Sequence, residues 1–284
     1  AIATANMELA LRHGHLTVAC EEENFFRVLK DNPLDVTDKT LPDVCTLFLA
    51  MGEEEESHLR KRFGEGIRIK RCGNARTDIL RPNLRVMFEG EAAALRERFG
   101  NFILVNSNLG IINSALPQNE PRDIFGNWIK ANVFEEGLDL KQRGNIFQDF
   151  IYFDESNALA LRAILSELAC RDYKVLFRPH PGEKRSTWEK IVTGLDAPQI
   201  QVMNEGGHIP AILASDLLVH SSCTTGVEAL LANKPSLSVS TDQARTHSYY
   251  LSNKFNVRAS SSSDSMAMID SHMAGDNFIK DARL

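Results

Sequence analysis

The sequence predicts an α/β fold with two parallel-sheet units. Three observations predict it. Short apolar runs alternate with helical patterns along most of the chain, strongly polar segments follow several of those runs, and 284 residues suffice for about two domains. A chain of this length buries a substantial core without disulfides or a structural metal. Hydrophobic residues make up 43% and charged residues 25%, the balance of a globular chain rather than a disordered one.

In the first unit, residues 1–15 carry helical apolar spacing through Met7 and Leu11. A short strand is predicted at Leu16–Ala19, running into the acidic group Glu21, Glu22 and Glu23, and a second at Cys45–Leu49. Gly52 precedes a charged helix, Glu53–Phe63, whose opening run Glu53–Glu56 lies where a helix N-terminus favours negative charge. A third strand, Ile67–Arg71, leads to Gly73. Residues 74–98 read as a crossing segment followed by a helix, Ala92–Phe99, which sets the first domain at 1–98. The chain opens at Ala1 without a methionine, and on a helix with no leading strand, so a first unit incomplete at its start is expected.

The second domain, 99–284, begins with the strand Phe102–Val105, ending in Asn106-Ser107-Asn108. From 110 to 153 the pattern weakens around Pro117, Pro121, Trp128 and Phe134, which predicts an insertion of short helices. Leu161, Ile164, Leu165 and Leu168 then fall at i, i+3, i+4 and i+7, an amphipathic helix. Strands are predicted at Lys174–Phe177, Ile200–Met203, Leu217–Val219 and Leu237–Val239, with helices at Pro210–Ala214 and Val227–Ala232. Ser260–Ser263 reads as a loop before a C-terminal helix, which is expected to pack back on the first domain.

Several function classes fall away. No run approaches the 18 or so uninterrupted apolar residues of a membrane helix, and no signal-peptide pattern opens the chain. A net charge of −6 argues against a general nucleic-acid binder, although a local basic patch can still grip phosphate. The five cysteines (Cys20, Cys45, Cys72, Cys170, Cys223) are scattered and form no C-x-x-C pair, which favours a reducing cytoplasm. There is no G-x-G-x-x-G, no G-x-x-x-x-G-K-[ST] and no Asp-x-Asp triplet. The histidines show no spacing for a closed metal site, so no metal is expected. Cys223 reads as small filler and Trp128 and Trp188 as packing residues.

Ligands of open parallel sheets bind beyond the carboxyl ends of the strands, and two polar segments sit there. The first is Arg178–Glu183, in which Pro179 and Pro181 fix the backbone on both sides of His180. Arg178 and His180 are suitable donors to phosphate, with Glu183 able to orient either; the simpler reading pairs Arg178 with Glu183. The second is His220–Glu228, where Ser221, Ser222, Thr224 and Thr225 crowd a helix start with hydroxyls and amide donors suited to a phosphate. Glu228, about one turn on, is placed to reach a ribose hydroxyl. The simpler reading here is helix capping, for which one hydroxyl suffices. In the first unit, Glu22 within Glu21-Glu22-Glu23-Asn24 is the candidate general base, against the alternative of a solvated acidic loop. Arg76 and Asp78 either pair or face the cleft, and Asn106 and Asn108 end a strand where donor or acceptor could lie.

The pair Arg178-Pro179-His180-Pro181 and Ser221-Ser222 with Glu228 resembles the His-Pro and Ser-Ser motifs of GT-B transferases. Bacterial sialyltransferases, Kdo transferases of capsule assembly and polyol-phosphate transferases of teichoic acid synthesis share them. Gly73-Asn74-Ala75-Arg76-Thr77-Asp78-Ile79-Leu80-Arg81-Pro82, with His220–Pro235, resembles bacterial surface carbohydrate (surface polysaccharide) biosynthesis proteins over roughly 16–240. The resemblance implies a GT-B-like fold, two Rossmann-like domains facing a cleft, with the nucleotide on the second. It implies that His180, Ser221 and Ser222 hold the nucleotide phosphate, that Glu228 holds the nucleotide's sugar, and that no metal takes their place. Related sialyltransferases carry an acidic pair followed by glycine near Glu22; Asn24 stands at that glycine.

The expected activity is transfer of a sugar from a nucleotide donor, with a CMP-activated acid sugar leading, to a glycan or lipid-linked glycan acceptor. The nucleotide sugar is a co-substrate and no further cofactor is expected. The expected place is the cytoplasm, with contact at the inner membrane face. Alternatives on the same fold are a CDP-glycerol-type polyol-phosphate transferase, a UDP-sugar 2-epimerase and a non-catalytic GT-B-like protein.

Overall fold

A computed structural model describes residues 4–21, 32–34, 37–116, 120–203, 205–239 and 245–276. The first unit begins with α1 (Thr4–Arg12), β1 (Val18–Ala19), α2 (Leu41–Val44), β2 (Leu47–Ala50), α3 (Glu53–Phe63), β3 (Ile69–Arg71) and α4 (Ala75–Asp78). Its three strands are parallel in the order β1-β2-β3. Ala19, Leu41, Phe48, Ala50, Leu59 and Ile67 form its core. Of the acidic run opening α3, Glu55 turns inward and its Oε2 accepts from the Met51 N–H at 2.7 Å. That bond supplies an acceptor to the chain entering the helix, where donors otherwise go unmet.

The second sheet contains β4 (Ile103–Asn106), β5 (Val175–Arg178), β6 (Ile200–Val202), β7 (Leu217–His220), β8 (Ser236–Val239) and β9 (Val257–Ala259). All pairings are parallel, in the order β6-β5-β4-β7-β8-β9. The central strands are apolar at every inner position because both faces are covered. On one face Ile103, Val105, Val175, Phe177, Leu217 and Val219 meet α7 (Leu140–Ala169), α8 (Arg185–Thr193) and α12 (Ser262–Met273), the helix that comes after α11 (Leu251–Phe255) and β9. On the other, Leu104, Leu176 and Leu218 meet α5 (Glu89–Phe99), α9 (His208–Ala214) and α10 (Thr225–Leu231). The helix just before residue 99 thus packs with the second sheet.

Three expectations need correction. Residues 110–153 do not form an insertion of short helices only. After α6 (Pro121–Lys130), α7 runs for 30 residues through the segment and on through Leu168. Its first half buries Phe147 and Phe150 beside Trp128, Phe134 and Tyr249, whereas its second half buries Leu161–Leu168 on the sheet. Two partners shift the apolar stripe part-way along, which blurs the period. Its start was marked: Asp139 accepts from Gln142 N and Gln142 accepts from Asp139 N, both at 2.8 Å, a capping box.

The serine run is not simply a loop, because Ser261 Oγ caps α12 by accepting from Asp264 N at 3.0 Å. That helix packs on its own sheet rather than on the first domain, with Met266 and Ile269 buried in the same cluster as Val239 and Ala259. The two tryptophans are packing residues as expected: the Trp188 ring centre lies 4.3 Å from that of Phe177, and Trp128 lies 5.1 Å from Phe147. Among the described residues, no helix is long and apolar enough to cross a membrane.

Candidate functional site

Numbered within the second sheet, the strand order is 3-2-1-4-5-6, which reverses between β4 and β7. Such a switch point splays the connections that leave two neighbouring strands and opens a crevice at their carboxyl ends. Asn106 and His220 are register partners at those ends. The segments singled out from sequence follow: Asn106-Ser107-Asn108 after β4, His220–Thr225 after β7, and Arg178–Glu183 one strand away after β5.

The hydroxyls after β7 do not cap a helix. Thr224, the N-cap of α10, makes no side-chain capping bond. Thr225 Oγ1 accepts from Asn106 Nδ2 at 3.0 Å, and Ser222 Oγ accepts from Asn253 Nδ2 at 2.8 Å. Asn108 Nδ2 donates to the Ser222 carbonyl at 3.4 Å. Ser222 is held at φ +52, left-handed backbone that a non-glycine residue seldom adopts. Ser221 Oγ and Asn106 Oδ1 are buried with no hydrogen-bond partner among the described residues. His220 is fully buried, and its Nδ1 accepts from Cys223 N at 3.4 Å. Its ring lies so close to Gly226 that a Cβ there would meet it and the Asn256 amide. Cys223 is buried as filler, and burial pushes its thiol up.

At the β5 end, His180 is exposed and its Nδ1 accepts from Gly182 N at 3.1 Å. That bond assigns the ring proton to Nε2. Arg178 does not pair with Glu183; its guanidinium donates to the Glu205 and Gly206 carbonyls at 2.9 and 2.8 Å. Burial lowers its pKa, against the opposing charge of Glu91. Pro181 is exposed beside His180. Glu183 is the surprise of this loop. At 4% exposure, its Oε1 accepts from Ser107 Oγ (2.8 Å), Leu109 N (3.0 Å) and His180 N (3.3 Å). Its Oε2 accepts from Asn113 Nδ2 (3.2 Å) and Trp188 Nε1 (2.8 Å). One carboxylate therefore fastens the loops after β4 and β5 together, with the His180 backbone included.

Asp154 on α7 holds the same β4 loop from beneath, accepting from Ile111 N at 3.0 Å. Burial pushes its carboxyl up to about 7; the Ile111 and Ile112 N–H groups oppose the shift and the negative Glu183 adds to it. The unfolded chain ionises this group near 3.8, so the folded state binds the extra proton between about pH 4 and 7. Its stabilising contribution is complete below that window and is lost as pH rises to about 7. Asp154→Asn keeps an acceptor for Ile111 N and is expected to raise stability at pH 8 by about 4 kcal/mol relative to its effect at pH 4. Urea unfolding of both proteins across that range checks this; an equal effect at both ends would contradict it.

The first unit contributes Arg76. Asn74 Oδ1 caps α4 by accepting from Arg76 N at 2.8 Å, after Gly73 turns the chain at φ +79. Arg76 Nε and Nη2 then reach Glu228 Oε1 at 3.2 and 3.1 Å. His208 Nε2 lies 3.2 Å from the same oxygen. Glu228 is 1% exposed, and its Oε2 has no partner among the described residues. Asp78 does not join them but pairs with Arg81 at 2.8 Å. Glu22 lies outside the described residues.

Sequence reasoning missed His208, Asn253 and the central place of Glu183. Asn253 also accepts from Ser238 Oγ at 2.7 Å, tying β8 to the Ser222 turn. A lone asparagine in a short helix carries no pattern that would announce this.

No family model matches the chain, and no curated protein sequence matches it. Solved structures do. The UDP-GlcNAc 2-epimerase from Methanocaldococcus jannaschii is 12% identical over 94% of this chain and 66% of that one, with a TM-score of 0.54. The UDP-GlcNAc 2-epimerase from Neisseria meningitidis, in a structure bound to UDP-GlcNAc, is 12% identical over 98% and 67%, with a TM-score of 0.52. The wall teichoic acid polymerase TagF is 12% identical over 91% and 58%, at 0.49. The chain thus spans about two thirds or less of the length of each of these. At such identity the likeness is one of architecture, and with two parallel sheets it makes this chain a GT-B-like α/β protein, two Rossmann-like domains facing a cleft.

Proposed function

We propose that the chain is a nucleotide-sugar transferase of surface polysaccharide assembly, moving a sugar from a CMP-activated donor to a glycan or lipid-linked glycan acceptor. One observation carries the reading: Asn106 Oδ1, Ser221 Oγ and Glu228 Oε2, three buried polar atoms without partners among the described residues, all lie on the ends of β4 and β7 or on the helix that follows β7. Each such atom costs about 1–3 kcal/mol when left unbonded, a cost that a polar ligand would offset. In this reading Ser221, Ser222, Thr224 and Thr225 take the phosphate, Glu228 takes the ribose, and Asn106 and Asn108 line the crevice. Arg178 and Pro181 fix the loop that presents His180.

The chemistry forms a bond between the acceptor oxygen and the donor's anomeric carbon and breaks that carbon's bond to the CMP oxygen. The acceptor proton goes to a base, for which Glu22 is proposed. The His180 Nε2–H and the hydroxyl donors bear the charge developing on the departing phosphate, where one preorganised donor is worth roughly 100-fold in rate.

A thermal-shift panel of CMP, CDP, UDP and GDP tests the reading. CMP is expected to raise Tm, since a ligand at 100 times its Kd adds about 2.7 kcal/mol. His180→Ala is expected to lose that shift, whereas Glu22→Ala keeps the shift and loses turnover. No response to any nucleotide from the folded protein sinks the reading. Product mass separates the alternatives: a polyol-phosphate transferase adds an intact polyol phosphate, and a 2-epimerase converts its UDP-sugar without acceptor.

A further inference from the structure

The Gly73–Pro82 segment is in the first unit, yet its best-held side chain reaches 152 residues along the chain into the second. Nothing in the proposed donor reading requires this. Gly73 turns the backbone, Asn74 caps α4 and is itself buried, and Arg76 leaves that turn toward Glu228. Arg76 and His208 come from different units and meet on Oε1: Arg76 Nε donates to it, Arg76 Nη2 pairs with it at 3.1 Å, and His208 Nε2 lies 3.2 Å from it. Oε2 receives none from the described residues. Partners from two elements on one oxygen fix the rotation of the carboxylate. The second oxygen is then left as a strong, oriented acceptor for a donor that the described residues do not provide.

We infer that Arg76 and His208 are positioning residues that aim Glu228 Oε2 at the vicinal hydroxyls of a ribose. Ribose recognition therefore depends on the first unit being docked on the second. The inference rests on the nucleotide reading above and deepens it: it assigns discrimination between ribo- and deoxynucleotides to a residue on the opposite domain. The neighbouring cross-unit bond, from Arg85 Nη1 to the Ala232 carbonyl at 2.9 Å, touches no part of Glu228 and serves as the control.

The test is calorimetric titration of CMP and 2′,3′-dideoxy-CMP into four proteins: the wild type, Arg76→Ala, Arg76→Lys and Arg85→Ala. The wild type is expected to prefer CMP by roughly ten-fold or more, the worth of a hydrogen bond to a charged acceptor. Arg76→Ala is expected to bring that ratio near one while leaving the affinity for the dideoxynucleotide unchanged. Arg76→Lys returns one cationic donor and restores part of the ratio, and Arg85→Ala keeps it whole.

If Arg76→Ala keeps the wild-type ratio, or weakens both nucleotides equally, the inference fails and the nucleotide reading stands. If the wild type binds both equally, the ribose role of Glu228 fails with it. If the folded wild type binds no CMP, the donor reading itself falls and takes the inference down.

Discussion

Glu183→Leu is expected to destabilise the protein by about 3–5 kcal/mol. The leucine fits the volume but accepts nothing. Five donors then lose their acceptor: Ser107 Oγ, Leu109 N, His180 N, Asn113 Nδ2 and Trp188 Nε1. A buried donor left unmet costs about 1–3 kcal/mol, and the exposed end of the set can turn to water, so two or three remain stranded. Release of the carboxylate's own desolvation offsets part of this. Glu183→Gln is milder, about 1–3 kcal/mol, because its amide nitrogen must face a donor on one side whichever way it turns. Equilibrium urea unfolding, read by Trp188 fluorescence, measures both. A leucine variant within 1 kcal/mol of the wild type would show that the carboxylate does not hold the two loops. A second consequence is electrostatic: without the negative Glu183, the Asp154 carboxyl moves down from about 7, and its pH window narrows.

Gly226→Ala is the second large effect, at about 3 kcal/mol. The added Cβ meets the His220 ring on one side and the Asn256 amide on the other. Neither gives way readily. His220 is buried and held at Nδ1 by Cys223 N, while Asn256 Nδ2 donates to the Ser252 carbonyl at 2.8 Å and its Oδ1 accepts from Ser236 Oγ. Overpacking a rigid core costs about 1–3 kcal/mol and occasionally more. The backbone that must move is the His220–Thr225 turn, so nucleotide affinity is expected to fall along with stability. The double variant Gly226→Ala with His220→Ala supplies the check. Removing the ring makes room for the methyl group, so its loss should be smaller than the two single losses added together. Strict additivity would mean that the contact with His220 is not what excludes a side chain at 226.

Much of the fold could be read from the sequence because parallel strands buried on both faces leave a strong local signature. Ile103–Asn106, Val175–Arg178 and Leu217–His220 were each found within a residue or two. The two polar strand ends were found for a related reason: a strand that runs from pure apolar into His, Ser and Thr has left the core at its carboxyl end. What could not be read was how those ends connect. Arg178 and Glu183 stand close in sequence and look like a pair, yet one bonds carbonyls after β6 and the other gathers donors from three segments. Arg76 and Asp78 likewise suggested a local pair, until the cap by Asn74 turned Arg76 toward a carboxylate in the other unit. Long-range partners of this kind depend on the strand order, and the reversal between β4 and β7 is not written in any one segment. The start of α7 is legible in its capping box, but an apolar stripe that serves two cores blurs the period of the helix that follows.

A nucleotide is proposed to bind at the carboxyl ends of β4 and β7, where the strand order reverses. Hydrogen–deuterium exchange with and without saturating CMP tests it most directly, because protection is mapped by position without assuming a reaction. Exchange is expected to slow in peptides covering 106–116, 178–184 and 220–228, and that protection is expected to be lost in His180→Ala. Protection confined to other segments, or none at all from a protein that CMP stabilises, would contradict it.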